Sequence, residues 1–87
     1  MKTLRVHYDG RVQGVGFRWT VKNLAKEFDV TGTVSNLPDG RVELVVQGET
    51  DEFLEAIRTS ALAGHITAEV AESVDSAPKM RQFQIIP

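Results

Sequence analysis

The apolar residues of this chain change their spacing repeatedly, and this alternation constrains the fold more than any other feature of the sequence. Residues 3–9 alternate apolar and polar side chains, which is the period of a half-buried β-strand. From about Arg18 the apolar residues recur three and four positions apart, which is the period of an amphipathic helix. The first two predicted elements are therefore a strand and a helix, joined by a loop that contains glycine.

The middle of the chain predicts a β-hairpin. Residues 30–37 are rich in β-branched side chains and residues 41–48 alternate apolar and polar ones, so both ranges are predicted to be strands. The sequence L-P-D-G stands between them over residues 37–40. Its proline presets φ for a tight turn, and Gly40 accepts a left-handed conformation.

The second half of the chain repeats the pattern of strand and helix. A helix is predicted with Thr50 as its N-cap and Gly64 just past its end, followed by strands over residues 68–74 and 81–86. The resulting order is β-α-β-β-α-β with a short extra C-terminal strand. It predicts an α+β fold, a ferredoxin-like two-layer sandwich in which an antiparallel sheet carries both helices on one face. We expect residues 1–87 to form a single domain.

Charge and composition argue against several classes of function. The chain has 12 acidic and 10 basic residues and a net charge of −2, whereas general nucleic-acid-binding domains usually carry an excess of basic residues. It has no cysteine, and no apolar run approaches the ~20 residues that a membrane span needs. We therefore expect a cytoplasmic protein whose partners are neither nucleic acid nor membrane. We also expect it to be a monomer.

Residues 10–18 read G-R-V-Q-G-V-G-F-R and are the strongest candidate for a functional site. The glycines lie between a predicted strand and a predicted helix start, where free backbone N–H groups and the helix dipole can bind an anion such as phosphate. Arg18 is unfavourable near that end of the dipole unless an anion lies between them, and its guanidinium has forked donors that match phosphate. The alternative is a connector whose glycines serve only the turn, with Arg18 solvated.

Asn36 is the second candidate, because it directly precedes the predicted turn. Asparagine in such a place commonly caps the turn with its own side chain, and that interpretation stands beside a catalytic one. His7 and His65 are far apart in the sequence and lack the ligand spacing of a metal site, so no metal or other cofactor is expected. Arg11 is a candidate for steering anions, and Trp19 for packing or for the rim of the site.

Two motifs together resemble a known family. The stretch G-R-V-Q-G-V-G-F-R, the later T-G-T-V-S-N-L-P-D-G-R-V-E and the V-V-Q-G-E after it closely resemble the acylphosphatase family, over roughly residues 4–55. The resemblance implies a ferredoxin-like sandwich and the metal-free hydrolysis of an acyl phosphate to a carboxylate and inorganic phosphate. The expected partner is then a small-molecule acyl phosphate, with inorganic phosphate or sulfate as a competing anion.

The resemblance also implies the roles of single residues. Arg18 ends the first motif and would bind the phosphoryl group together with the loop amides, and Asn36 in the second motif would orient the attacking water. The amides that would take part belong to Gln13, Gly14, Val15, Gly16, Phe17 and Arg18.

Two other functions remain open at this stage. One is an accessory anion-binding module, because acylphosphatase-like domains also occur inside larger proteins; the presence of both Arg18 and Asn36 favours the enzyme. The other is an RNA-recognition module of the same fold class. Such modules stack bases on aromatic side chains of their central strands, and residues 42–46 contain none.

Overall fold

Two helices pack on one face of a five-stranded sheet in the computed structural model, which describes residues 1–87. The strands are β1 (Thr3–Gly10), β2 (Val30–Asn36), β3 (Val42–Gly48), β4 (Ile66–Ser73) and β5 (Phe83–Ile86). The helices are α1 (Phe17–Ala25) and α2 (Thr50–Arg58), and a short 3-10 turn covers Ala63–His65. The α+β class, the element order and the ferredoxin-like sandwich are confirmed.

The strands follow the spatial order β4-β1-β3-β2-β5. Helix α1 connects β1 to β2 across the intervening β3, which is the arrangement of a split β-α-β unit. In the antiparallel pairs Val6 lies opposite Leu44, and Leu44 lies opposite Val34. Because side chains directly across a sheet share a face, these three residues form one apolar row beneath the helices.

The fifth strand shows that one part of the prediction is wrong. β5 pairs with β2 in parallel, with Val34 opposite Ile85, so the sheet is mixed and not antiparallel throughout. Residues 74–82 carry the chain from β4 at one edge of the sheet to β5 at the other, and this crossing makes β5 enter in the direction of β2. An alternating pattern predicts a strand but not its partner or the direction of pairing.

One apolar cluster fills the space between the sheet and the helices. Its buried members are Leu4, Val6, Tyr8, Val12, Phe17, Val21, Ala25, Val34, Val42, Leu44, Val46, Phe53, Leu54, Ile57 and Leu62. Burying a large apolar side chain stabilises a fold by about 1.5–3 kcal/mol. The rings of Tyr8 and Phe17 lie 5.2 Å apart between centroids, so core packing fixes the first residue of α1 against β1.

The start of α2 differs from the prediction. Thr50 is its first helical residue rather than its N-cap, and the cap position is occupied by Glu49, whose side chain makes no capping bond. The Glu49 carboxylate instead accepts a hydrogen bond from the Asp29 amide at 2.9 Å. Thr50 itself is buried, so packing rather than capping determines its place.

The end of α2 also lies earlier than predicted, well before Gly64. The Thr59 hydroxyl donates to the Glu55 carbonyl at 3.1 Å, and the Ser60 hydroxyl donates to the Ile57 carbonyl at 2.7 Å. Such local bonds from hydroxyl side chains satisfy the last carbonyls and compete with further helix. Gly64 lies in the 3-10 turn and does not close the helix.

No helix of this structure combines the length and the apolar character that crossing a membrane would require. The cytoplasmic location, the monomeric state and the single domain over residues 1–87 stay predictions.

Candidate active site

The three glycines of the loop between β1 and α1 serve two different purposes. A side chain at Gly10 would collide with the carbonyl oxygen of His65, because β1 shifts its register against β4 at this point. Gly14 and Gly16 have φ of 77° in each case, a left-handed conformation that other residues rarely adopt, and the space beside both is open. The first glycine therefore permits a close contact between strands, and the other two shape an exposed backbone turn.

The backbone N–H groups of residues 12–19 donate no hydrogen bond within the protein. The Arg11 amide donates to the His65 carbonyl at 2.9 Å, and the next backbone donor along the chain is Thr20, which bonds to the Gly16 carbonyl at 2.9 Å. Backbone donors need a partner, from the protein, from water or from a ligand. This run of free donors at a helix start is the kind of arrangement that binds anions.

The N-terminus of α1 lacks the acidic residues that helices usually place there. Its cap position is Gly16, without a side-chain bond, and its first turn contains no acidic residue. The first turn of α2, in contrast, contains Asp51 and Glu52. Since negative charge stabilises the positive end of a helix, α1 leaves that place free for an anion from outside the chain.

Arg18 and Asn36 line the same cavity, although 18 positions separate them in the sequence. The cavity has a volume of about 190 Å³ and no carboxylate in its wall. Its lining consists of Val12, Gly14, Gly16, Phe17, Arg18, Trp19, Asn36 and Ile85. Arg18 forms no salt bridge with any carboxylate of the chain. The cavity therefore combines an unpaired guanidinium, an amide side chain and the start of α1.

The side chain of Asn36 does not cap the hairpin turn that follows it. The Asp39 carboxylate has that role, because it accepts bonds from the backbone amide and the Nε of Arg41 at 3.0 and 2.9 Å. These two donors lower the pKa of Asp39. Gly40 closes the turn with a bond from its amide to the Leu37 carbonyl at 3.1 Å and has the expected positive φ of 97°. Asn36 is exposed and its amide group is free to bind a ligand.

The side chain of Gln13 holds the loop against the hairpin, a contact that sequence reasoning missed. Its Nε2 donates to the Leu37 carbonyl at 2.8 Å and to the Arg41 carbonyl at 3.0 Å. The loop amides and Asn36 are thereby fixed relative to one another. No local sequence pattern predicts these hydrogen bonds. Only the expectation that both motifs belong to one site could have suggested a contact between the loop and the hairpin.

Strand β5 forms one wall of the cavity, which was also not predicted. Ile85 lines the cavity, and the carbonyl of Ile86 accepts a bond of 3.4 Å from Nη1 of Arg18. Both contacts depend on the parallel pairing of β5 with β2. Because the sequence did not predict that pairing, it could not place these residues in the site.

The other residues considered from the sequence lie outside the cavity, except Trp19. Nε2 of His7 is 2.9 Å from Oε2 of Glu43 on the neighbouring strand, and His65 lies in the 3-10 turn. Arg11 is exposed and does not line the cavity. Trp19 was expected either to pack or to lie at the rim of the site; it is 66% exposed and forms part of the cavity wall.

A larger cavity of about 610 Å³ lies at the other ends of β2 and β3. Its wall contains carboxylates and cations together, among them Asp29, Glu49, Lys79 and Arg81. It has neither the free amides of the loop nor a candidate residue from the sequence. The smaller cavity is therefore the candidate site.

Comparison with known proteins identifies the family. The sequence model of the acylphosphatase family matches residues 4–85, which includes the loop, Arg18 and Asn36. The chain belongs to the acylphosphatase family. An acylphosphatase of Lactobacillus gasseri is 41% identical over an alignment of 90 residues. The alignment covers 99% of this chain and 99% of the relative. The family and the enzyme class expected from the two motifs are confirmed.

Solved structures agree with this family assignment. The crystal structure of acylphosphatase from Bacillus subtilis has a TM-score of 0.89 to this chain and 33% sequence identity, with 100% of both chains covered. The crystal structure of T. kodakarensis HypF has a TM-score of 0.84 and 30% identity, and the match covers 100% of this chain but 12% of that one. The acylphosphatase fold thus also occurs as a small part of a much longer protein.

Proposed function

We propose that this protein hydrolyses acyl phosphates to a carboxylate and inorganic phosphate without a metal ion. In this proposal Arg18 and the amides of residues 13–18 bind the phosphoryl group, and Asn36 orients the attacking water. The observation that carries the proposal is the single cavity in which Arg18, Asn36 and the start of α1 meet. Its support from outside the structure is membership of the acylphosphatase family.

Binding of the phosphoryl group follows from the donors around the cavity. A phosphoryl group has oxygens that accept bonds in several directions, and the loop offers consecutive free amides. The guanidinium of Arg18 adds two parallel donors and a full positive charge. Charge that develops on the phosphoryl oxygens during transfer is thereby stabilised by groups already in place, which is the largest contribution in many enzymes.

The leaving group makes a general acid unnecessary. An acyl phosphate releases a carboxylate, and the conjugate acid of a carboxylate has a pKa of about 4. The carboxylate therefore departs as an anion at neutral pH. The enzyme needs to hold the phosphoryl group, exclude unproductive orientations and supply a positioned water.

Asn36 acts in this proposal as an orienting group and not as a base. Its side-chain amide is too weakly basic to accept a proton at neutral pH, but its oxygen accepts and its NH₂ donates a hydrogen bond. Water held in this way attacks phosphorus in line with the departing carboxylate. The proton of the water goes to a phosphoryl oxygen of the substrate.

The first test is hydrolysis of benzoyl phosphate by the purified protein in the presence of a chelator. We expect turnover by the wild type and a loss of about 100-fold or more in kcat/KM for Arg18→Ala, because an electrostatic donor at the transition state is removed. Arg18→Lys should also lose activity, since an ammonium group cannot reproduce the forked donors. Turnover that depends on added metal, or that survives in Arg18→Ala, would contradict the proposal.

The role of Asn36 is separable from that of Arg18. We expect Asn36→Ala to lower kcat by about 100-fold while it leaves the affinity for inorganic phosphate nearly unchanged, because the phosphoryl donors remain. Phosphate binding can be followed by the fluorescence of Trp19, the single tryptophan of the chain. Ser35→Ala, one position earlier in the same strand, is the control and should retain full kcat. Full turnover by Asn36→Ala would show that another group orients the water.

An accessory binding module is the second candidate function, favoured by the likeness to a small part of HypF. It predicts that phosphate or sulfate binds at Arg18 while benzoyl phosphate is not hydrolysed. Binding and turnover measured on the same preparation therefore distinguish the two functions.

A further inference from the structure

A groove on the surface of α1 adjoins the candidate active-site cavity. It has a volume of about 190 Å³ and is lined by Trp19, Lys22, Asn23, Lys26 and Ile85. Three of these residues come from α1 and Lys26 is its C-cap residue; their spacings of three and four place them on one exposed face of that helix. We call this feature the α1 groove.

The α1 groove and the active-site cavity share two walls. Trp19 and Ile85 line both, whereas Asn36 lines only the cavity. The groove therefore adjoins the cavity at a wall that Asn36, the residue proposed to hold the water, does not form. In an in-line displacement the leaving group lies away from the attacking water, and the groove is suited to receive it.

The charge of the α1 groove is positive, although the whole chain has a net charge of −2. Lys22 and Lys26 line the groove, no carboxylate does, and neither lysine forms a salt bridge. Arg18 adds a third cation at the end that opens into the cavity. Unpaired cations along one cleft attract an anionic ligand and orient it.

We propose that the acyl part of the substrate lies in the α1 groove, and that Lys22 binds a second negative charge at its far end. This inference rests on the proposed function and narrows its substrate class to acyl phosphates whose acyl group carries a carboxylate or a phosphate. Trp19 and Ile85 supply apolar walls for the carbon atoms between the two charged ends.

The helix geometry sets the separation of the two charges. Lys22 follows Arg18 by four residues, which is roughly 6 Å along the helix axis, and Lys26 follows it by eight, roughly 12 Å. A short acyl group spans the first separation. Lys22 is therefore the principal partner, and Lys26 lies in reach of longer substrates.

A matched pair of substrates tests this inference: benzoyl phosphate and the same molecule with a carboxylate at the para position. We expect the wild type to have a kcat/KM about five-fold higher for the carboxylated substrate. A factor of about five is the upper end of what an exposed ion pair contributes to binding. The preference should appear in KM and should shrink as ionic strength rises. Lys22→Glu should reverse the ratio to below one.

Lys79→Glu is the matched control, because it makes the same change of net charge at an exposed lysine in the cavity of about 610 Å³ at the other ends of β2 and β3. It should leave the ratio of the two substrates as in the wild type. The ratio also cancels any general effect of the new charge on phosphoryl binding. A ratio near one in the wild type, or an equal ratio in the wild type and Lys22→Glu, overturns the inference alone. Absence of benzoyl phosphate hydrolysis by the wild type overturns the proposed function, and the inference with it.

Discussion

Gly10, Gly14 and Gly16 look alike in the sequence but meet different physical requirements. All three have a positive φ, 124° at Gly10 and 77° at both Gly14 and Gly16, but only Gly10 also has the His65 carbonyl oxygen against it. The sequence correctly predicted a glycine-dependent loop at this place. It could not separate the two requirements, because one of them depends on the pairing of β1 with β4, which is remote in sequence.

A substitution at Gly16 should therefore act through the backbone. We expect Gly16→Ala to lower the free energy of unfolding by about 1–2 kcal/mol, because alanine is strained in the left-handed region. It should also weaken phosphate binding, since relaxation of the strain would move the amides of the loop. Urea unfolding and phosphate titration measure the two effects.

Gly64→Ala is the control for this prediction. The space beside Gly64 is also open, but its φ is not in the positive range. Alanine there should be neutral or stabilise the fold by up to about 1 kcal/mol, because it restricts the unfolded chain. Equal losses at the two positions would refute a role of the left-handed conformation.

At the level of elements, the site exists because a loop and a hairpin from different parts of the chain are held together. Gln13 makes this connection with two bonds to carbonyls at positions 37 and 41. The two carbonyls lie on either side of the turn, so one side chain fixes both strands of the hairpin to the loop. The relative position of the loop amides and Asn36 therefore depends on this amide group as well as on the core packing of Val12 and Phe17.

Removal of that amide group should affect catalysis as well as stability. We expect Gln13→Met, which keeps the length of the side chain, to lower the free energy of unfolding by about 1 kcal/mol. It should lower kcat by about ten-fold, because small displacements of reacting groups are costly. Gln84→Met, at an exposed position of β5, is the control and should change neither the free energy of unfolding nor kcat. A loss of stability with unchanged kcat would mean that Gln13 has only a structural role.

The elements themselves were largely predictable, and their connections were not. Apolar periodicity located every strand to within two residues of its observed ends, and it located the start of α1. It failed at Gly64 because hydroxyl side chains end α2 earlier, and it failed for β5 because pairing direction is a property of the whole sheet. Arg18 was predicted from the loop motif, and Asn36 from the resemblance to the acylphosphatase family. The bonds of the Gln13 side chain and of the Ile86 carbonyl are contacts that no motif contains.

At the level of the whole molecule, Tyr8 couples the stability of the core to alkaline pH. Its ring is fully buried, and its hydroxyl has no hydrogen-bond partner. Burial raises the pKa of Tyr8, and the negative charge of nearby Glu69 raises it further. The folded protein therefore keeps the phenol neutral at a pH where an unfolded tyrosine, with a pKa of about 10, is already ionised.

This difference predicts the pH dependence of unfolding. Below about pH 10 the phenol is protonated in both the folded and the unfolded state, and the free energy of unfolding does not depend on this group. Above about pH 10 the phenol stays protonated only in the folded state, so the free energy of unfolding falls as pH rises. Tyr8 is the single tyrosine of the chain, so the absorbance of phenolate reports on it alone. We expect no phenolate signal from the folded protein at pH 11 and a full signal after unfolding in urea.

Tyr8→Phe removes the phenol and thereby isolates its contribution to the pH dependence of unfolding. Its free energy of unfolding should decline less steeply between about pH 10 and 11 than that of the wild type. A phenolate signal with a pKa of about 10 in the folded protein would contradict the raised pKa.

The contact between Arg18 and the Ile86 carbonyl joins residues 68 positions apart. A ribosome adds roughly 5–20 residues per second, so several seconds pass between synthesis of the glycine loop and synthesis of β5. From the addition of Asn36 until the synthesis of β5, the nascent chain contains Arg18 and Asn36 but lacks the strand that forms one wall of the cavity. The cavity that Arg18 and Asn36 line is therefore not complete until β5 has been synthesised and has paired with β2.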